Sequence, residues 1–298
     1  MNIKRAIIFI FLFLCFITEA RAEDSEGFIF EWSYAPSRVY TNTVLVDSTS
    51  YLTMKGKSKT AKEKLKTSQF PLEIKNSQRT GSVITTDKTD QYGNIPFMCK
   101  IVEHSNTNIA NCKIIPSTRP DILEEVVYTG MIDGKTKTLN IISVKGKNLP
   151  PEAENIIKEM MEEVQKQLQM PAYPLKTGDS FTNRLKLHIP VPGLQPVEMF
   201  IVLKYTLKKI ESPLAFFNIK IDLELAMKES EENVTAKGGG SGSMRFDIKN
   251  KLPIDCIMLL KMKVTLDTPE VKMVVKSKSN TKMEFKEMDV AQQVNPLD

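Results

Sequence analysis

Four glycines within five positions, in the stretch TAKGGGSGSMRFD that begins at Thr235, are the spacing most suggestive of chemistry. A phosphate-binding loop needs the pattern G-x-x-x-x-G-K-S/T between a strand and a helix, and no Gly-Lys-Ser/Thr follows Gly242. Instead, Met244, Phe246 and Ile248 alternate with charged residues, which is typical of a strand. The stretch therefore predicts a glycine-rich strand start with a bulge, a bend or a close backbone approach. A flexible linker is the alternative.

The cysteines indicate a disulfide rather than a nucleophile. Cys99 and Cys112 flank the polar segment EHSNTN, and a hairpin with its loop at 104–107 would place them directly opposite each other. Cross-strand neighbours come within reach of a disulfide, so a Cys99–Cys112 bond is predicted. Cys256 shares the apolar face of a later strand, which predicts a buried, inert thiol.

The histidines do not form a metal-binding or catalytic pattern. The chain has two, His104 and His188, and it contains no H-E-x-x-H, C-x-x-C or G-x-S-x-G motif. The letters Gly178-Asp179-Ser180 precede a strand and predict a turn. We therefore predict no catalytic residue, metal or cofactor, and a protein that is not an enzyme.

The first 22 residues have the pattern of a secretory signal peptide. Two basic residues are followed by the apolar run 6–17 and by Ala20-Arg21-Ala22, which suits a signal peptidase. Cleavage would leave 276 of the 298 residues and reduce the net charge from +5 to +3. No later stretch is apolar enough to span a bilayer as a helix. We expect an exported chain, periplasmic or secreted and of bacterial origin, without a transmembrane segment after cleavage and without a nucleic-acid partner.

The remaining pattern predicts a mainly β fold. Strand-like alternation is clearest after residue 180, as in Phe217 to Met227, whereas 151–170 is an amphipathic helix that begins at a proline. The fold class is a large curved antiparallel sheet with this helix packed on its concave apolar face. We expect an N-terminal β region at 23–148, and the helix with long strands at 149–298. The two could also form one continuous domain.

Turn motifs in the second half resemble those of a group of exported bacterial β-proteins of unknown function. In PAYPLKTGDSFTN, the matching residues are Pro174, Lys176, Gly178, Asp179, Ser180 and Phe181. The glycine strand followed by FDIKNKLPID also resembles that group's hairpin, except that Lys251 stands where glycine is common. The resemblance covers about residues 85–265 and implies a fold and a compartment. The long strands with a covering helix are also similar to the lipoprotein-carrier half-barrels of the bacterial envelope.

The methionines suggest an adaptable apolar surface. We predict a binding protein whose concave face takes a hydrophobic or lipid-like ligand, or the apolar segment of an envelope or secretion partner. Its lining is predicted to be Met160, Met161, Val164, Met199, Ile201, Phe217, Ile219, Met258 and Met262. The alternative is a structural or protein-interaction module in which the same residues fill a closed core.

Overall fold

Long strands make up most of the molecule. The computed structural model describes residues 27–66, 70–115, 123, 125–150, 154–155, 157–159, 170–189, 197–225 and 233–288. One short helix in this part of the chain is α1, Lys59–Leu65. The strands are β1 Val39–Gly56, β2 Leu72–Thr86, β3 Ile95–Ala110, β4 Lys113–Ile115, β5 Val127–Ile132, β6 Leu139–Lys145, β7 Ser180–Ile189, β8 Val197–Glu211, β9 Leu214–Leu225, β10 Asn233–Asp247, β11 Leu252–Asp267 and β12 Val271–Glu287.

All twelve strands belong to one open antiparallel sheet. The order is β6-β5-β3-β2-β1-β12-β11-β10-β9-β8-β7, and β4 pairs with β3 outside this path. Neighbours along the chain are mostly neighbours in the sheet, whereas β1 pairs with β12 at its centre. The large antiparallel sheet predicted from the alternating sequence is confirmed. The same sheet includes strands from both predicted regions of the chain.

Alternation along each strand gives the sheet two different faces. In β1, Tyr40, Val44 and Val46 are buried, while Asp47 on the opposite side is exposed. We call the side of Tyr40, with its register partners in every other strand, the inner face, and the opposite side the outer face. The strands of 15 to 18 residues exceed the usual length of about five or six, so the sheet extends well beyond its core.

An extended N-terminal segment, residues 28–34, covers part of the inner face. Phe30, Trp32 and Tyr34, which alternate along the segment, are buried. The ring of Phe30 meets that of Phe217 edge-on at 5.0 Å, and Trp32 meets Phe285 at 6.4 Å. The segment forms a bridge between Phe28 and Leu175, the backbone N–H of Ser33 donates to the carbonyl of Lys251 at 3.1 Å, and Glu31 pairs with the Lys251 amine.

The covering helix is described in part. Residues 154–155 and 157–159 are helical, and Ile157 is fully buried in the same core as the sheet residues. The backbone N–H of Val144 donates to the carboxylate of Glu154 at 3.3 Å, which ties the helix to the end of β6. This contact agrees with the predicted packing of a helix on the apolar face.

The predicted Cys99–Cys112 disulfide is wrong, and both thiols are free. The expected loop at 104–107 is the interior of β3, because β2 supplies backbone partners along this whole stretch. The register places Cys99 beside Ile84 and Tyr128. Cys112 is exposed in the turn after β3 with a φ of 63°, and it does not face Cys99.

The glycine stretch lies inside β10, which begins at Asn233 rather than at the glycines. A Cβ atom at Gly240 would overlap the carbonyl oxygen of Leu259, and Gly238 and Gly242 approach β11 in the same way. The close backbone approach, one of the predicted reasons for glycine, is thus present. The irregularity in register falls elsewhere, between Arg245 and Phe246.

A tight turn at Asn250 joins β10 to β11. Asp247 accepts a hydrogen bond from the backbone N–H of Asn250 at 2.9 Å, and β11 begins at Leu252. Lys251 has a φ of 57°, a left-handed conformation that favours glycine. Lys251, which stands where glycine is common in the resembling hairpins, therefore has the backbone conformation that a glycine would adopt.

Candidate functional site

Three successive rows of side chains cross the middle of the inner face, and their chemistry changes from one side to the other. Residues from β9, β10 and β11 are apolar or glycine, whereas most of those from β12, β1 and β2 are hydroxyls and amides. In order across the strands, the rows are Gly238, Met262, Ser277, Ser50 and Ile74; then Ile221, Gly240, Leu260, Ser279, Ser48 and Asn76; then Ile219, Gly242, Met258, Thr281, Val46 and Gln78.

The predicted lining residues divide into two groups. Met199, Phe217 and Ile219 are at most 2% exposed, and Phe217 is fixed between the rings of Phe30 and Phe181. These three fill space inside the molecule. Aromatic rings cover Phe217 in the upper part of the inner face, whereas Met199 lies at the opposite end of β8, beside Leu225.

The other lining residues lie lower on the inner face. Ile201, Met258 and Met262 are partly exposed there, and Leu260 between the two methionines was missed by the sequence reasoning. Met160, Met161 and Val164 lie outside the described residues.

A strip without side chains runs beside the partly exposed apolar residues. Gly238, Gly240 and Gly242 are the register partners of Met262, Leu260 and Met258. Leu223 on β9 lies on the other side of this strip, against Gly238. The result is a shallow apolar groove along β11, floored by glycine backbone. We call Met258, Leu260 and Met262 with the three glycines the apolar groove.

Hydroxyl and amide groups border this groove on its other side. Ser50 donates to Ser277 at 3.0 Å across the β1–β12 pair, and the Asn76 amide donates to Asn106 at 2.7 Å and Asn108 at 2.9 Å. Serines that alternate with lysines, as in KSKSN before Thr281, were the sequence signal for this polar side. The described members of the three rows include no charged side chain.

Burial favours the neutral forms of two thiols and one phenol on the inner face. Burial raises the pKa of the Cys256 thiol to about 12, and burial likewise raises that of Cys99 to about 12. Burial also raises the pKa of Tyr205. His104 contacts the hydroxyl of Thr80 through Nδ1 at 3.0 Å. Within the described residues, no three His, Cys, Asp or Glu side chains cluster in a way that could hold a metal ion.

The outer face has a shallow cleft of about 410 Å³ where β12, β1, β2 and β3 meet. Thr49, Lys75, Lys278 and Asn280 contribute to its wall, together with Asp47, which accepts a hydrogen bond from Ser77 at 2.7 Å. Most of its lining residues are polar, but most of the surface that they expose in the cleft is apolar, and the cleft opens on the opposite side of the sheet from the apolar groove. Sequence reasoning did not identify it, because its residues come from strands far apart in the chain.

Among the described residues, no helix has the length and apolar character needed to cross a membrane.

No family model and no curated protein matches this chain. Among solved structures, it is similar to the outer membrane protein OprG from Pseudomonas aeruginosa, with 7% identity over 84% of this chain and 98% of that chain and a TM-score of 0.21. Botulinum neurotoxin type C gives 7% identity over 87% of this chain and 80% of that chain, with a TM-score of 0.10. An acetoacetate decarboxylase-like enzyme from Sphingomonas wittichii RW1 gives 10% identity over 86% of this chain and 94% of that chain, with a TM-score of 0.11. Likenesses at this level carry no conclusion about function.

Proposed function

We propose that this chain is an exported, non-enzymatic binding protein of the cell envelope or of the secreted fraction. Its ligand is a lipid-like molecule, or an apolar segment of a partner, held on the inner face of the sheet. The observation that carries this proposal is the apolar groove, in which Met258, Leu260 and Met262 stay partly exposed beside three glycines.

The groove suits a long, narrow apolar group. Consecutive residues on one face of a strand are about 6.8 Å apart, so Met258 to Met262 spans roughly 14 Å, the length of an extended acyl chain of about eleven methylenes. Methionine side chains are flexible and adapt to ligands of different outline. The glycines allow such a chain to lie close to the sheet backbone.

The polar side of the rows indicates the second part of the ligand. Ser277, Ser279 and Thr281 lie directly beside the groove, and Ser48 and Asn76 continue the same band. Uncharged hydroxyls and amides suit a neutral polar group such as a glycerol or sugar, because a buried ion would need a charged partner. The ligand class is therefore an acyl chain bearing an uncharged polar group.

The state of the thiols supports binding rather than catalysis. A thiolate is the reactive form of cysteine, and the raised pKa of Cys99 and Cys256 keeps both protonated near neutral pH. His104 is tied to Thr80, on the same face. The proposed location outside the cytoplasm rests on the signal-peptide pattern of residues 1–22.

Native mass spectrometry of protein purified from its own source tests the proposal. We expect a co-purifying adduct of lipid mass that organic extraction removes. The delipidated protein should then bind a fluorescent fatty-acid monoglyceride.

Adjacent residues on opposite faces provide matched variants. Leu260→Gln places an amide in the groove, and we expect it to weaken monoglyceride binding at least tenfold. Leu259→Gln changes the neighbouring outer-face residue and should bind as the parent does. Equal affinities for the two variants, together with an adduct-free native mass, would exclude a ligand in this groove.

Such a result would favour the alternative of a protein-interaction module with a closed core. The burial of Met199, Phe217 and Ile219 supports that alternative, because half of the predicted lining that the structure describes is already filled core.

A further inference from the structure

Two adjacent rows on the outer face bring lysines directly opposite one another. Lys261 on β11 faces Lys278 on β12, and in the next row Lys263 faces both Lys276 on β12 and Lys237 on β10. All five side chains are exposed. We call these five residues the lysine patch.

This arrangement opposes folding. Directly opposed residues in an antiparallel pair have Cβ atoms about 4.5–5.5 Å apart, and like charges at this distance destabilise the sheet. None of the five amines lies within ion-pair distance of a carboxylate in the described part of the chain. A repulsive cluster that is not neutralised within the described residues is a feature expected of a surface that meets an anionic partner.

Several other outer-face lysines are neutralised by neighbours. Lys220 pairs with Asp222 at 2.8 Å, and Lys282 pairs with Glu284 at 2.7 Å. Lys75 lies in the same row as Lys261 and pairs with Glu73 at 3.5 Å. The lysine patch therefore differs from the general lysine-rich character of the chain, in which acids and bases alternate.

Exposed apolar side chains adjoin the patch. Leu259 and Ile257 follow Lys261 along the outer face of β11 and are 44% and 41% exposed, and Tyr51 beside Lys276 is 47% exposed. The cleft of about 410 Å³ borders the patch at Lys278. The surface thus combines cations, apolar side chains and hydroxyl donors within a few strands.

We propose that the lysine patch docks the protein on the surface of a bilayer that contains anionic phospholipid. The amines contact lipid phosphates, the cleft at Lys278 accepts a head group, and Leu259 and Ile257 enter the interface. Juxtaposed lysines are attracted to anionic leaflets, and apolar side chains beside them add buried area.

A bilayer fits this surface better than a nucleic acid does. Carboxylates lie both within and beside the two rows: Asp222 and Glu73 at their ends, Asp47 in the row on one side and Asp267 two rows away on the other. A nucleic-acid strand would carry its phosphates past these acids, whereas lipid head groups can rearrange around them. The exposed leucine and isoleucine also have an apolar phase to enter only at a membrane.

Vesicle co-sedimentation tests the proposal. The purified protein should bind vesicles of phosphatidylglycerol and phosphatidylcholine but not vesicles of phosphatidylcholine alone. Because the Debye length falls from about 10 Å at 0.1 M salt to about 3 Å at 1 M, salt should release the protein. Inorganic phosphate at equal ionic strength should release it no more than chloride does.

A quadruple variant removes most of the patch. Lys261→Gln/Lys263→Gln/Lys276→Gln/Lys278→Gln should weaken the partition coefficient by about fivefold per lysine, and hence by more than a hundredfold. The matched control is Lys209→Gln/Lys220→Gln/Lys282→Gln/Lys286→Gln, which changes the net charge equally at lysines that have carboxylate neighbours. It should lose at most a few fold.

Thermal unfolding of the same variants provides an independent readout. Neutralising the patch should raise Tm, because it removes repulsion, while the control variant should not gain stability. If the quadruple variant is poorly folded, Lys261→Gln/Lys263→Gln removes one member of each opposed pair and should still weaken binding about 25-fold.

Three results would each overturn the proposal. The patch and control variants could lose vesicle binding equally, or the protein could bind vesicles of phosphatidylcholine alone. A duplex oligonucleotide could also displace the protein at a lower phosphate concentration than the vesicles provide.

Discussion

Gly240 occupies a position where the backbones of β10 and β11 leave no room for a side chain. A Cβ atom there would overlap the carbonyl oxygen of Leu259, which is part of the backbone and cannot rotate away. The glycine is therefore required for the close approach of the two strands and not only for turn geometry.

We predict that Gly240→Ala lowers the free energy of unfolding by about 2 kcal/mol or more, as strained core substitutions do. Urea unfolding followed by circular dichroism measures this. Ser241→Ala changes the next, exposed residue of the same strand and should stay within about 0.5 kcal/mol of the parent. Similar values for the two variants would show that the strands can separate at Gly240 without loss.

The sequence identified the glycine stretch as part of a strand because the alternation from Met244 onward is strong. It misplaced the start of that strand, since β10 extends five residues before Gly238. The glycines interrupt the alternation, so the pattern from Met244 onward could not be followed back to Asn233. The same limit hid the apolar groove, whose floor is glycine.

At the scale of elements, the N-terminal segment is the part that closes the upper inner face. Phe30 is 1% exposed and contacts the rings of Phe217 and Phe246, at 5.0 and 5.7 Å. Phe28 in the same segment is 48% exposed. Both residues are phenylalanines, but one is buried and the other is exposed, so Phe28 can serve as the control for substitutions at Phe30.

We predict that Phe30→Ala destabilises the protein by about 3–5 kcal/mol, whereas Phe28→Ala changes stability by less than about 1 kcal/mol. Trp32, the single tryptophan, is 2% exposed and reports on this segment. Its fluorescence should be blue-shifted and poorly quenched by acrylamide in the parent. Quenching in the folded Phe30→Ala variant should increase. Unchanged stability in that variant would mean that the segment does not cover the core in solution.

β3 is an element that the hydrophobic pattern of the sequence does not predict. The residues EHSNTN are polar and resemble a loop, but β2 provides hydrogen-bond partners along them, with one irregularity between Gly81 and Ser82. On the inner face, the amide N–H groups of Asn76 and Asn108 both donate to the Oδ1 of Asn106, and Asn76 also donates to the Oδ1 of Asn108. A polar strand of this kind forms because neighbouring strands pair with it, and a single sequence does not show which strands those are. The expected hairpin and its disulfide were wrong for this reason.

Across the whole molecule, buried phenols and thiols link stability to alkaline pH. Burial raises the pKa of Tyr40 to about 12, and burial also raises the pKa of Tyr128 and Tyr205. In the unfolded chain the thiols of Cys99 and Cys256 release their protons near pH 8.5 and the phenols near pH 10. The stability is therefore complete below about pH 8.5, begins to fall through the thiols and falls further above pH 10 through the phenols, until the pH reaches the folded values.

We predict that the free energy of unfolding falls steadily between pH 10 and pH 12. Tyr40→Phe has no proton to release, and its loss over this range should be smaller by on the order of 1 kcal/mol. Urea titrations at several pH values measure both slopes. The variant lacks the hydroxyl that accepts from Ala35 N–H at 2.9 Å, so the comparison concerns slopes and not absolute values. Parallel slopes would show that the Tyr40 hydroxyl is already accessible to water.

The pairing of β1 with β12 places the first and last long strands side by side at the centre of the sheet. During synthesis, the strand that completes the middle is therefore the last one to be made. Until β12 exists, β1 and β11 present unpaired edges of 18 and 16 residues, and those edges could pair with another chain. A protein built in this order gains from being held unfolded until the whole chain has left the ribosome. Once complete, it cannot be split between its two halves without exposing the longest edges in the molecule.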